Sequence, residues 1–279
     1  MDSTAVDRIA QLGVEAANAN ILNTRTSAVI LTARDGSQTI TSLEHLESGR
    51  ARYRGKFATP YLQAFADYVV RNRENDSTGP QPQGFINTDT MQATVFFNLG
   101  DREDPGHADY TANLKLQQTA AFTALNRHTG TTLDQRGLHD FIEDWRDNIA
   151  VLYNGAADTS KPLSAALAAI RDISIDTARS INSVERDMGA TRSAMESVDA
   201  KSKHTLPSGF QFRCVPYDGL QERTFNLRLG VNTGSDKLSL VLRIQQAEAT
   251  TEAIAKDFAD RLGALLGTAS TLTLGTFTP

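Results

Sequence analysis

Phe97-Asn98-Leu99 recurs 128 residues later as Phe225-Asn226-Leu227, and Leu114-Lys115-Leu116-Gln117-Gln118 recurs at the same offset as Leu242-Arg243-Ile244-Gln245-Gln246. Gly106 matches Gly234 without a gap, so seven of the twenty-two aligned positions are identical. Each copy reads as strand, turn, strand and helix. In the first, Thr94-Val95-Phe96-Phe97 is a buried strand and Asp101 to Gly106 a turn. Ala108, Tyr110, Ala112, Leu114 and Leu116 then alternate with polar residues, as a half-buried antiparallel strand does. In the second, Leu238, Leu240, Leu242 and Ile244 repeat that alternation, and Ile254, Phe258, Leu262 and Leu265 stripe the helix after it. The pattern is either a duplicated β-rich unit or two similar hairpins, with Gly84-Phe85 echoed by Gly209-Phe210 at a different offset.

The expected fold is therefore α+β: antiparallel sheet from two related β-rich halves, with packed helices. Residues 1–155 form an N-terminal α+β half, 156–204 a helical connector, and 205–279 a C-terminal unit packed with the first as one globule. Ser3 can cap a helix to about Asn18, with Val6, Ile9, Ala10 and Val14 on one side. Thr26 to Thr32 reads as a strand ended by Asp35-Gly36. Thr41-Ser42-Leu43-Glu44 has capping-box spacing for a short helix ending near Gly49, and Thr132 with Gln135 has it for a helix through Leu138, Phe141, Ile142 and Trp145. Leu62, Phe65, Ala66 and Val69 predict a helix after Pro60. Residues 74–83 are loop. Leu163, Leu167, Ile170, Ile173 and Ala178 to Ile181 predict a long helix after Pro162, and residues 183–203 a second helix or a connector. Thr271-Leu272-Thr273-Leu274 alternates as a closing strand.

With 279 residues, 40% hydrophobic and 22% charged, the chain has the makings of an ordinary globular core. No apolar run approaches the roughly 20 residues of a membrane span. Met1-Asp2-Ser3-Thr4 does not read as the start of a signal peptide, and Cys214 stands alone, which rules out an intrachain disulfide and a Cys-based zinc site. A cytoplasmic protein without membrane partners is the expectation. The net charge of −5, its acidic excess all within residues 1–155, argues against general affinity for nucleic acid.

Motifs for chemistry are sparse. There is no P-loop, no dinucleotide fingerprint and no Gly-x-Ser-x-Gly. Arg50, Arg52, Arg54 and Lys56 alternate with Ala51, Tyr53, Gly55 and Phe57. If extended, this segment places four cations on one side, where they can hold phosphates or guard a sheet edge. Arg243 could join them as a phosphate anchor. His139 and Glu143 share a helix face and, with Asp140, Asp144 and Asp147, have the donors for a divalent metal; an acidic helix surface has the same pattern. His107 follows the Asp104-Pro105-Gly106 turn, as a base or anion contact or as a structural cap. Cys214, within a predicted strand Gln211 to Val215, reads as a buried, inert thiol. No catalytic residue, metal or cofactor is assigned.

Five stretches carry a resemblance to a known family. They are Ser42-Leu43-Glu44 with Arg54-Gly55 and Phe57; Gly106-His107-Ala108-Asp109-Tyr110 leading into Leu114; Phe141-Ile142-Glu143-Asp144; Leu206-Pro207-Ser208-Gly209-Phe210; and the strand Leu238 to Ile244. Covering most of residues 40–150 and 205–266, they resemble the YfdQ-like proteins, a phage and prophage family of unknown function. The resemblance implies a phage genome and the host cytoplasm, and supplies no activity and no catalytic residues. The leading expectation is a non-enzymatic, self-assembling protein whose partner is itself, in a symmetric homo-oligomer. The alternatives are a phosphate-ligand module, taking nucleic acid in phage replication or recombination or a small nucleotide in counter-defence, and a metal-dependent hydrolase using His139 and Glu143.

Overall fold

Apolar residues at every second position commit both copies to strands, and the structure, a computed structural model, pairs them antiparallel. It describes residues 3–18, 28–32, 37–50, 52–73, 81–153, 156–157, 162–173, 206–235 and 237–279. Two units result, Met1–Gly55 and Lys56–Pro279. The Asp35-Gly36 turn, loop residues 74–80, and residues 174–205, which hold the rest of the predicted connector, lie outside the described residues.

In the first unit, helix α1 (Ser3–Asn18) precedes a hairpin of β1 (Ala28–Thr32) and β2 (Gln38–Ser42), with Ile30 opposite Ile40. The short helix expected from the Thr41–Glu44 capping box is instead the end of β2 followed by one 3-10 turn, Glu44–Leu46. Gln38 to Ser42 alternates and pairs with β1, so ladder hydrogen bonds win over a three-residue turn's worth of helix. Ser42 Oγ still accepts from the Glu44 amide at 3.4 Å.

In the second unit, the first copy is β4 (Gln83–Asn87), β5 (Gln92–Phe96), β6 (Tyr110–Lys115) and α3 (Ala120–His128). The second is β10 (Gly209–Cys214), β11 (Arg223–Ser235), β12 (Lys237–Ile244) and α6 (Ala247–Leu266). Each is an antiparallel three-stranded meander followed by a helix. They differ in the second turn. The β11–β12 hairpin is long, whereas β5 gives way at residue 97 to a folded loop. In that loop Gly100 takes φ +70° and bridges Pro105, and Gly106 lies so close to the Asn98 carbonyl that no Cβ fits. Asp101 accepts from the Asp104 and Glu103 amides, which holds its carboxyl below the ordinary range.

The remaining elements complete two sheets. β3 (Gly55–Thr59) and β13 (Thr271–Leu274) flank the first meander in the order β13-β4-β5-β6-β3. β7 (Thr132–Leu133), β8 (Ile149–Tyr153) and β9 (Ala156–Ala157) extend the second in the order β7-β12-β11-β10-β8-β9. β13 runs parallel to β4; the pairs β4–β5, β5–β6, β7–β12, β12–β11, β11–β10, β10–β8 and β8–β9 are antiparallel. Thr132 thus belongs to a strand. The cap of α4 (Gln135–Asp144) is Asp134, whose carboxylate accepts from the Gly137 amide at 2.7 Å. Helix α2 (Leu62–Asn72) buries Leu62, Phe65, Ala66 and Val69 and packs against α6, while α5 (Leu163–Arg171) buries Ala166, Ala169 and Ile170 against α4 and β8. One core joins them: Phe141 and Trp145 lie against Phe212, and Phe122 against Phe225. Six α-helices stand among the described residues, and none is long and apolar enough to cross a membrane.

Candidate functional site

The basic stripe does not form as one extended edge. Strand begins only at Gly55, so Arg50, Arg52 and Arg54 fall outside any strand. Their local folding has a cause: the Arg54 guanidinium is ion-paired with the Glu44 carboxylate, and Arg50 Nη1 donates to the Arg54 carbonyl at 3.3 Å. Arg52 is half-buried. Lys56 stands exposed on β3, where Phe57 turns inward to stack on Tyr68 at 4.1 Å. Arg243 is exposed in β12, directly opposite Arg228 of β11.

His107 is exposed in the 97–109 loop. On α4, His139 Nδ1 lies 3.8 Å from Asp140 Oδ1 and 4.0 Å from Glu143 Oε2, a loose surface arrangement. No group of three His, Cys, Asp or Glu side chains among the described residues could hold a metal. Cys214 is buried at the end of β10, and that burial, with the charge of Glu222, pushes its thiol up to about 11.

Exposed large apolar side chains among the described residues include single ones such as Ile40, Leu46, Tyr53, Tyr61 and Val70, and two groups. The first is α1. Between Thr4 and Gly13, Ala5, Val6, Ile9, Ala10 and Leu12 share one side, and Thr4, Asp7, Arg8 and Gln11 share the other. Val6, Ile9 and Leu12 are 49%, 69% and 50% exposed. The second is the end of the chain. Leu272 packs on the core, but Leu274 is 68% exposed and Phe277 43%, even as Phe277 stacks on Phe85 at 4.9 Å. β13 has β4 on one side and is an edge on the other.

Fold and surfaces define an α+β protein of two meander-and-helix segments, accompanied by an N-terminal unit with an uncovered amphipathic helix. The chain belongs to a family described as an uncharacterized conserved protein, DUF2303, whose model matches residues 2–277. No curated protein and no solved structure matches it.

Proposed function

We propose that the protein is a non-enzymatic, self-assembling homo-oligomer encoded by phage or prophage and acting in the host cytoplasm. The observation that carries assembly is the apolar side of α1, with Val6, Ile9 and Leu12 about half or more exposed. A lone helix of 16 residues is marginal in water, so this face favours a partner. The helix sequence holds two acids, Asp7 and Glu15, and one base, Arg8, rather than the Lys/Arg-rich face of helices that lie on anionic membranes. A second copy offers the same patch in equal supply, which suits an isologous pair. The helix provides a contact about 24 Å long, enough to contribute to an interface with the hairpin beside it.

Mass in solution tests the reading. Wild type is expected to exceed the 30.3 kDa of one chain. Val6→Gln, Ile9→Gln and Leu12→Gln together should return it to monomer while the second unit keeps its melting transition. A wild type that stays monomeric at tens of micromolar would assign the face to a foreign partner. The phage origin rests on the YfdQ-like resemblance of Gly106 to Tyr110 and Leu206 to Phe210. It predicts phage genes beside this one, and a setting without any would remove that part.

A second reading, phosphate binding, draws on Lys56 and Arg243, which stand exposed on strands. Arg54, bound to Glu44, serves it less well. Saturable nucleotide binding that falls steeply with salt, and is lost in Lys56→Gln/Arg243→Gln, would favour this reading.

A further inference from the structure

We infer that the cleft where α6 crosses the β4–β5 turn and α3 is a binding site for an organic cation with an apolar body. Its volume is about 610 Å³, within the size range of small-molecule sites. It exists because the two copies meet here without filling the space between them. The first copy supplies the turn and the N-terminal part of α3, and the second supplies the first turns of α6.

The floor is apolar and aromatic. Met91, Phe122 and Ile254 are core residues by burial, yet each shows a surface to the cleft, and Tyr217 leans on Phe122 with centroids 5.8 Å apart. The walls are acidic. Asp89 stands on the turn, and Glu248 and Glu252 stand one helical turn apart on α6. No Lys, Arg or His is among the lining residues, and none of the three carboxylates has an ion pair among the described residues. The dipole of α6 offsets Glu248, which sits in its first turn, but not Asp89 or Glu252.

The backbone around the cleft is held in an uncommon conformation. Met91 has φ +54° on the floor, and Gln246, just before α6, also has φ +54°. These are two of the three non-glycine residues with positive φ among those described. Such strain persists where surrounding structure over-determines it, and it clusters at ligand sites.

An apolar floor with aromatic edges under unpaired carboxylates complements one chemistry: an alkyl or aryl group bearing an ammonium or guanidinium. The body covers Met91 and Ile254 beside Phe122 and Tyr217, and the cation takes Asp89 and Glu252. The source can be a free amine or a basic side chain of a peptide.

The Met91 methyl group is a reporter on the floor, and its ¹³C resonance can be assigned by Met91→Leu. Titration with tryptamine is expected to shift it saturably. The neutral isostere tryptophol should bind at least tenfold more weakly. Asp89→Asn/Glu252→Gln, both at exposed positions, should also lose at least tenfold. Thr251→Arg places a tethered guanidinium over the cleft from the surface of α6 and should block tryptamine. A parallel titration with an N-acetylated Phe-Arg amide separates the sources. Similar affinities point to a free amine, and a strong preference for the peptide points to a protein chain. The assignment is overturned if neither probe shifts Met91 saturably, if tryptophol equals tryptamine, or if the double variant binds unchanged while its spectrum shows an intact fold.

Discussion

Leu242 and Cys214 lie on the same sheet, and each allows a test of its inner face at one atom's resolution. Leu242 is fully buried, opposite Leu229 on the neighbouring strand. A carboxylate there has no partner, so Leu242→Asp should cost about 4 kcal/mol or more, a large part of a typical domain's stability. Soluble yield and a urea melt check this; soluble, cooperatively melting protein would put the side chain on the open face. For Cys214 the sign follows from its thiol, raised from 9.0 to about 11. Below about pH 9 both folded and unfolded chains hold the proton. Above it the unfolded chain ionises first, so stability falls as pH rises toward 11, by up to ~1.4 kcal/mol per unit. Wild type should show this slope and Cys214→Ala should lack it. Iodoacetamide should label the thiol only after denaturation. Alternation along the sequence made both residues legible as inward-facing. It could not reveal that Arg54 is claimed by Glu44, because that contact depends on a bend of the backbone and not on the period of a strand.

Elements were most legible where apolar and polar residues alternate along the chain. The strands predicted around Tyr110 to Leu116 and Leu238 to Ile244 became β6 and β12, because the sequence alternates there, although in β6 the polar Thr111 is itself buried and Asn113 half-buried. β8, Ile149-Ala150-Val151-Leu152-Tyr153, is apolar throughout and offers no such alternation. Capping signals misled in two places, since Thr41 and Thr132 are β-branched residues that sit in strands, and ladder pairing overrode the box spacing. The corrected cap of α4 makes a clean contrast. Asp134→Ala should destabilise by about 1 kcal/mol, the usual loss for an N-cap carboxylate, whereas Thr132→Ala, exposed on a two-residue edge strand, should cost far less. Thermal melts of the two variants decide it, and equal effects would return the cap to Thr132. The cleft was illegible at this scale for another reason. Met91, Phe122 and Ile254 look like ordinary core, and only the fold brings Asp89 to Glu248 and Glu252.

At the scale of the second unit, the two copies exchange their ends. The helix of the first copy packs on the sheet of the second and leads to β7 beside β12, and the helix of the second leads back to β13 beside β4. Neither half is therefore complete alone, a relation that periodicity within each half cannot encode. It also changes what the chain's end does. Leu272 fills the space beside Gly84 that any side chain there would need, the Thr271 amide donates to the Pro82 carbonyl at 3.0 Å, and Phe277 stacks on Phe85. Deleting residues 271–279 removes these contacts and turns β4, a central strand with Ile86 in the core, into an open edge. Unpaired central strands are templates for aggregation. The deletion is thus expected to lower the melting temperature by several degrees and to produce heterogeneous, scattering-competent species, while Val6→Gln/Ile9→Gln/Leu12→Gln lowers mass without lowering that melt. If the truncated chain instead melts as wild type and simply drops to monomer, β13 serves the contact between copies more than its own sheet, and assembly runs through the strand and not through α1.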